Sequence, residues 1–328
     1  MLRFIARRTA LGVFTLWVIS VLSFVIIQLP PGDFATSYLA RVSANGGAAA
    51  GQSAAQIRAD YGLDQPLYMQ YLKWMNQVLH GNLGMSLQLQ RPVADVLSER
   101  MLLTAIVALA ALVFTWVVAI PIGVYCAVRR YSIGDYALTF LGFLGLAIPN
   151  FLLALALMYV AFSWFGWSVG GLYSQQYQTA PWSLAKLLDL SQHLIIPSLI
   201  LGAAGTAQLM RIMRANLLDE LGKPYVVTAR AKGLRERQLI RKYPVRVAMN
   251  PMASYISILS SQLISGSIIV SVVLSLPTVG PTLLAALQAQ DMFLAGAIIL
   301  LVGALTVVGT LISDLLLMWL DPRIRHAG

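Results

Sequence analysis

The chain has 328 residues, 58% of them hydrophobic and 11% charged, with a formal net charge of +10. Soluble domains carry roughly 25% charged residues, so this chain has too little polar surface to cover a water-soluble core of its size. The basic residues flank the apolar stretches, which accounts for the positive charge without nucleic acid.

A transmembrane helix needs about 20 mostly apolar residues. Charge-free stretches of that size run over residues 9–29, 101–128, 136–167, 190–210, 247–276 and 292–313, which predicts an all-α polytopic membrane protein with six spans. Arg3, Arg7 and Arg8 precede the first stretch, as in a signal peptide. The apolar run is too long for a signal core, however, and it ends in Leu29-Pro-Pro-Gly-Asp33 without a small-x-small cleavage site. The expectation is a retained first helix followed by a long outer loop to residue 100.

Within that loop, residues 40–55 are rich in Gly, Ala and Ser and predict a flexible tip. Tyr68, Tyr71, Leu72, Trp74, Met75 and Val78 recur near helical spacing. They predict one or two short helices on the outer membrane face, with Tyr and Trp at the headgroups. Gly81, Gly84 and Pro92 punctuate the rest of the loop. In the third span, Pro149-Asn150 predicts a kink or break, since proline removes a donor and clashes with the preceding turn. Residues 168–182 read as an outer loop with aromatic anchors.

Between the fourth and fifth spans lies a basic segment, residues 217–246, whose helix-forming residues run into Gly233, while Pro251 opens the next apolar span. The spacing predicts a short helix over 225–232, a turn at Gly233 and a second helical stretch over 236–245. With the N-terminus in the cytoplasm and six alternating spans, 17 of the 23 Lys and Arg residues fall on the cytoplasmic side. The opposite orientation inverts that bias, so both termini are expected in the cytoplasm.

The chemistry-bearing residues are few. Cys126 is the lone cysteine, and His80, His193 and His326 lie on different segments, so neither an internal disulfide nor a Cys-based metal site is expected. No G-x-x-x-x-G-K-[ST] phosphate loop occurs. Ser265-Gly-Ser267 is not a G-x-S-x-G elbow, and His193 with Asp314 does not supply the nucleophile–base pair an intramembrane enzyme needs. Pro149, Asn150, Gln262, Ser265 and Ser267 are polar or helix-breaking residues within spans. They either line a pathway or serve helix packing. Asp314 is the one acidic residue within a span; it reads as a helix-end ion pair, with Arg7 or Arg8, or as a proton or substrate site. An ion-coupled carrier calls for several such residues and internal repeats; one carboxylate and no clear repeat are present.

Thr228-Ala-Arg-Ala-Lys-Gly233, with Arg246 and Pro251 at their spacings, resembles the cytoplasmic coupling loop of binding-protein-dependent ABC importer permeases. Pro31-Gly-Asp33, Tyr61-Gly-Leu-Asp-Gln-Pro66, Gly81-Asn-Leu-Gly-Met-Ser86, Arg91-Pro-Val93 and Leu320-Asp-Pro-Arg-Ile-Arg325 resemble the dipeptide, oligopeptide and nickel subgroup, and the likeness covers nearly the whole chain. Two positions depart: Val227 stands where the family has an acidic residue or arginine, and Asn82 replaces an acidic residue common between the two glycines. The resemblance implies a type I importer fold in a bacterial or archaeal inner membrane. Residues 1–100 would form the first span and outer loop, and 101–328 a five-helix core. It also implies partners: a second homologous permease, two cytoplasmic ATPases that hold the ATP and Mg, and an extracytoplasmic binding protein. This chain itself would bind no cofactor and hydrolyse nothing. Tyr225, Thr228, Ala229, Arg230, Ala231, Lys232, Gly233 and Arg246 would couple it to the ATPases. Peptides are the substrates the subgroup favours, with oligosaccharides or nickel as alternatives.

Overall fold

The computed structural model describes residues 2–29, 35–36, 56, 58–59, 62–167 and 169–320, with side chains outside the description at 2–5, at 253–254, 256–258, 260–261 and 264–265, and from 312 onward. The tip over 40–55 and the Pro31-Gly-Asp33 and Leu320-Asp-Pro-Arg-Ile-Arg325 motifs therefore lie largely outside it. The described residues are helical, apart from turns and one isolated bridge between Met85 and Pro92. They form two compact units: Met1–Leu103 with Pro277–Val307, and Thr104–Leu276 with Val308–Gly328.

The first unit holds α1 (Leu2–Gln28), α2 (Leu67–Leu79), the start of α3 (Val93–Val128), α11 (Val279–Gln288) and most of α12 (Met292–Leu320). Of the aromatic side chains of α2, Tyr68 is 64% exposed, while Tyr71 and Trp74 turn into the protein and not outward as the sequence predicts. Trp74 is 2% exposed and stacks on Phe24 at 6.3 Å, and Tyr71 meets Phe24 edge-on at 5.4 Å and hydrogen-bonds Ser20 at 2.9 Å. An apolar stripe at helical spacing fits a protein face as well as a membrane face, and here α1 and α12 supply the protein face. Gln70, buried on the same side, donates its amide to the carbonyls of Leu63 (3.2 Å) and Gln65 (2.7 Å) and so fixes residues 62–66 as a turn. The next motif is a hairpin. The Ser86 hydroxyl donates to buried Asp291 at 2.6 Å, the Gln88 N–H to the same carboxylate oxygen at 2.9 Å, and the Ser86 N–H to Arg91 O at 2.9 Å. Asp291 also caps α12, accepting from the Leu294 N–H at 3.1 Å.

The second unit is built around α6 (Leu184–Leu221), which packs against α4 (Ile133–Ala147), α5 (Asn150–Phe165), α9 (Pro244–Ala248) and α10 (Asn250–Val273). Two helices overrun their charge-free stretches. α3 begins at Val93, not near Met101, and α6 runs for 38 residues, about 57 Å. Charges end an apolar stretch without ending a helix: Asp95 sits favourably in the first turn of α3, and Ser183 caps α6 by accepting from the Lys186 N–H at 3.2 Å. The third predicted span breaks where proline requires it. α4 and α5 meet at Ile148-Pro149 with their axes bent by 109°. Among the described residues, four helices are long and apolar enough to cross a membrane, or five if the bent pair is one span, and α10 covers 24 residues of the predicted fifth stretch.

Candidate functional site: the loop after α6 and the cavity beside it

The basic segment folds into two helices around a glycine. α7 (Pro224–Ala231) starts on Pro224 at its first position, where the missing N–H has no partner to lose. Gly233 then adopts φ +80, with nothing within 4 Å of where a Cβ would stand. Glycine is needed there for its backbone and not for space, because a left-handed L-residue costs about 1–2 kcal/mol. α8 (Glu236–Lys242) comes next. The predicted stretch over 236–245 is interrupted: Tyr243, at φ −114 and ψ −78, ends α8, and Pro244 begins α9 at its first position.

A small apolar cluster holds this segment together. Val226, Leu239 and Ile240 are buried, with Val124, Leu221, Ala229, Leu234 and Val245 packed around them. Arg230 grips Glu236 through both nitrogens of its fork, Nε to Oε2 at 3.0 Å and Nη2 to Oε1 at 2.6 Å, across the Gly233 turn. That contact holds the Glu236 carboxyl below its ordinary pKa and raises that of Arg230. At the other end of α7, the Tyr225 hydroxyl donates to Glu220 at 2.5 Å, and Lys223 pairs with the same carboxylate. Burial, and then the Glu220 carboxylate, push the Tyr225 phenol up to about 12. The Asn216 amide donates to Ala248 O at 3.3 Å and ties α6 to α9.

The eight predicted loop residues thus divide. Tyr225, Ala229, Arg230 and Gly233 build the segment itself, and the Thr228 hydroxyl donates back to Pro224 O at 2.9 Å. Ala231 and Lys232 face outward together with Val227, which is 55% exposed, and Arg246 is exposed on α9. Glu220 and Glu236 escaped the sequence reading, since an Arg–Glu contact six residues apart across a glycine obeys no helical spacing rule.

Asn150 and Gln262, from the predicted pathway set, come together in a cavity of about 560 Å³. Its wall on α6 is a single stripe, Leu201, Ala204, Gly205 and Gln208, and Tyr255 and Gln262 come from α10. A Cβ on Gly205 would stand 2.5 Å from Leu259, so glycine sets the close approach of α6 and α10. Pro149 makes the break that puts Asn150 at a helix start facing this space. The side chains of Ser265 and Asp314 lie outside the described residues. Sequence reasoning missed Gln208, Tyr255 and a further tie: Arg214 on α6 binds buried Asp135 on α4 in bidentate fashion, at 3.0 and 2.8 Å.

A long central helix, a broken span and an exposed short helix before a left-handed glycine define a helical permease. Residues 119–326 match the family described as binding-protein-dependent transport system inner membrane component, and residues 1–110 match the N-terminal region of such membrane components. The chain belongs to this family. It is 33% identical to the oligopeptide transport system permease protein AppB of Bacillus subtilis (strain 168), over 99% of this chain and 100% of that protein. It is 32% identical to the dipeptide transport system permease protein DppB of Escherichia coli (strain K12), over 99% of each. It is also 32% identical to the glutathione transport system permease protein GsiC of Escherichia coli O6:H1, over 99% of this chain and all of that one.

Proposed function

We propose that this chain is one of two membrane subunits of an ATP-driven importer of short peptides. It would have six spans and both termini on the cytoplasmic side of a bacterial or archaeal inner membrane. The observation that carries the reading is the outward face of α7, Val227, Thr228, Ala231 and Lys232, held rigid by the Val226 cluster and the Arg230–Glu236 fork. A small, half-apolar face on a stiff peg suits a groove on a separate ATPase, and the chain has no phosphate loop of its own.

Coupling would run through the ties at each end of the peg. An ATPase moving α7 pulls on Glu220 through Tyr225 and Lys223, and on α9 through the shared apolar cluster. Glu220 and Gln208 share one helix, twelve residues or about 18 Å apart, so the pull reaches the cavity wall as a rigid-body rocking of α6. The wall presents Asn150, Gln208, Gln262 and the Tyr255 phenol, uncharged groups that both donate and accept. They match a peptide backbone without demanding a side-chain type. The names of the oligopeptide, dipeptide and glutathione relatives favour the same substrate class over sugars or nickel.

The test is reconstitution with a second permease, the ATPases and a loaded binding protein. We expect peptide uptake that requires ATP and no hydrolysis by this chain alone. Uptake driven by an ion gradient without ATP would overturn the reading. For orientation, with Cys126 replaced, a cysteine at Ser53 should be labelled in cells whose outer membrane alone is permeable. Labelling only after the inner face is opened would invert the topology.

A further inference from the structure

Three arginines of the second unit, Arg129 just after α3 and Arg237 and Arg241 on α8, are brought to one place. Arg214 and Arg230 each grip a carboxylate. Arg129, Arg237 and Arg241 have no ion-pair partner among the described residues, yet all three line one pocket of about 660 Å³. Among the described residues, no carboxylate lines that pocket. Its floor is apolar: Pro121, Val124 and Val128 form one stripe of α3, and Ile240 and Val245 face them from α8 and α9. Arg129 directly follows Val128, the last residue of α3 and of the charge-free stretch 101–128, so in a membrane the rim would face the headgroups and the floor the hydrocarbon side.

We propose that this pocket binds an anionic phospholipid. The three guanidiniums would hold the phosphate as fork-shaped donors, and the stripe on α3 would take the first methylenes of an acyl chain. Basic pockets beside membrane helices recognise anionic headgroups in this way. Val124, Ile240 and Val245 already pack with the Val226 cluster, but Val128 is 44% exposed at the pocket. A soluble anion leaves that apolar surface bare, and an acidic protein segment leaves unexplained why the floor follows a membrane span. Because α8 belongs to the segment after α6, the lipid would bridge the membrane span α3 to that segment and stiffen it.

The test reads lipid retention on the purified full chain, assembled with its partners where they are known, so it stands whether or not the cargo is a peptide. Native mass spectrometry in detergent, after exchange into mixed phosphatidylcholine and phosphatidylglycerol, should show phosphatidylglycerol retained by the wild type. Retention should fall severalfold in Arg129→Gln/Arg237→Gln/Arg241→Gln. Arg129→Gln alone, outside the segment that would meet an ATPase, should fall measurably. In nanodiscs, ATPase stimulation should rise with phosphatidylglycerol content in the wild type and stay flat in the triple variant. Three outcomes would overturn the proposal: equal retention by wild type and triple variant; displacement of the lipid by inorganic phosphate, which would mean a headgroup-only site; or loss of partner recovery in the triple variant with lipid retention intact in Arg129→Gln, which would assign the arginines to protein docking.

Discussion

The segment after α6 and the cavity beside Asn150 are both parts of the second unit, and they are assembled on different length scales. In the segment, Arg230 reaches Glu236, Tyr225 reaches Glu220 and Thr228 reaches Pro224, all within six residues. In the cavity, Asn150, Gln208 and Gln262 are brought together from three helices, and no two of them are neighbours in the chain. A locally assembled element carries its own rigidity and can act as a lever. A cavity assembled from distant helices changes shape when any one of them moves. The division suits a machine in which one part must transmit force and the other must yield.

The sharpest way to break the comparison is Gly233→Pro. A φ of +80 is inaccessible to proline, so we expect a chain that inserts normally and shows no transport above background. Wild-type uptake would make the segment a mere basic flank.

Next comes a pair of substitutions that separates the inside of the peg from its outside. Ala229 packs into the Val226 cluster and Ala231 faces out. Ala229→Glu overpacks and charges the cluster, a penalty of at least about 1–3 kcal/mol, and should make residues 224–242 protease-sensitive even in the isolated chain. Ala231→Glu should leave the isolated chain resistant and lower recovery of the ATPases. Equal protease patterns would show that the inward and outward faces are misassigned.

Cavity variants should act more gently. Gln208→Leu with Gln262→Leu keeps volume and removes amide partners at about 0.5–1.5 kcal/mol per hydrogen bond. We expect uptake reduced several-fold, with ATPase stimulation by the binding protein retained. Loss of stimulation in step with uptake would place these residues in the lever and not in the pathway.

The smallest effect concerns acid. Glu236 has its pKa lowered by Arg230, from an ordinary value near 4.5. The stabilisation this gives the segment is full above that value and fades as pH falls through the lowered one. The pair is half exposed, so the change should be slight. Amide exchange around the Gly233 turn, residues 230–236, corrected for its intrinsic rate, should quicken modestly on acidification in the wild type and show no such step in Glu236→Gln, while the Glu220 end of α7 keeps its own response.

Much of this architecture is legible in the sequence. Charge-free stretches mark membrane helices because bilayer interiors exclude charge, Pro149 marks a break because it lacks a donor, and Gly233 marks a turn because other residues resist its backbone. The segment after α6 could be read because its contacts are local. The boundaries of α3 and α6 could not: charged residues extend helices past the bilayer without ending them. Nor could the inward placement of Trp74, since a period of 3.6 residues says that a stripe is buried without naming what buries it. The partners of Asp135 and Asp291 lie 79 and 205 residues away, and the amides around the cavity meet only because Gly205 lets α6 and α10 close together. By itself, the sequence determined the class of protein, its breaks and its local turns, because these rest on solvation and backbone sterics. Which faces look inward, which charges meet and where the cavity opens were decided by tertiary packing, because those contacts exist only once distant helices are brought side by side.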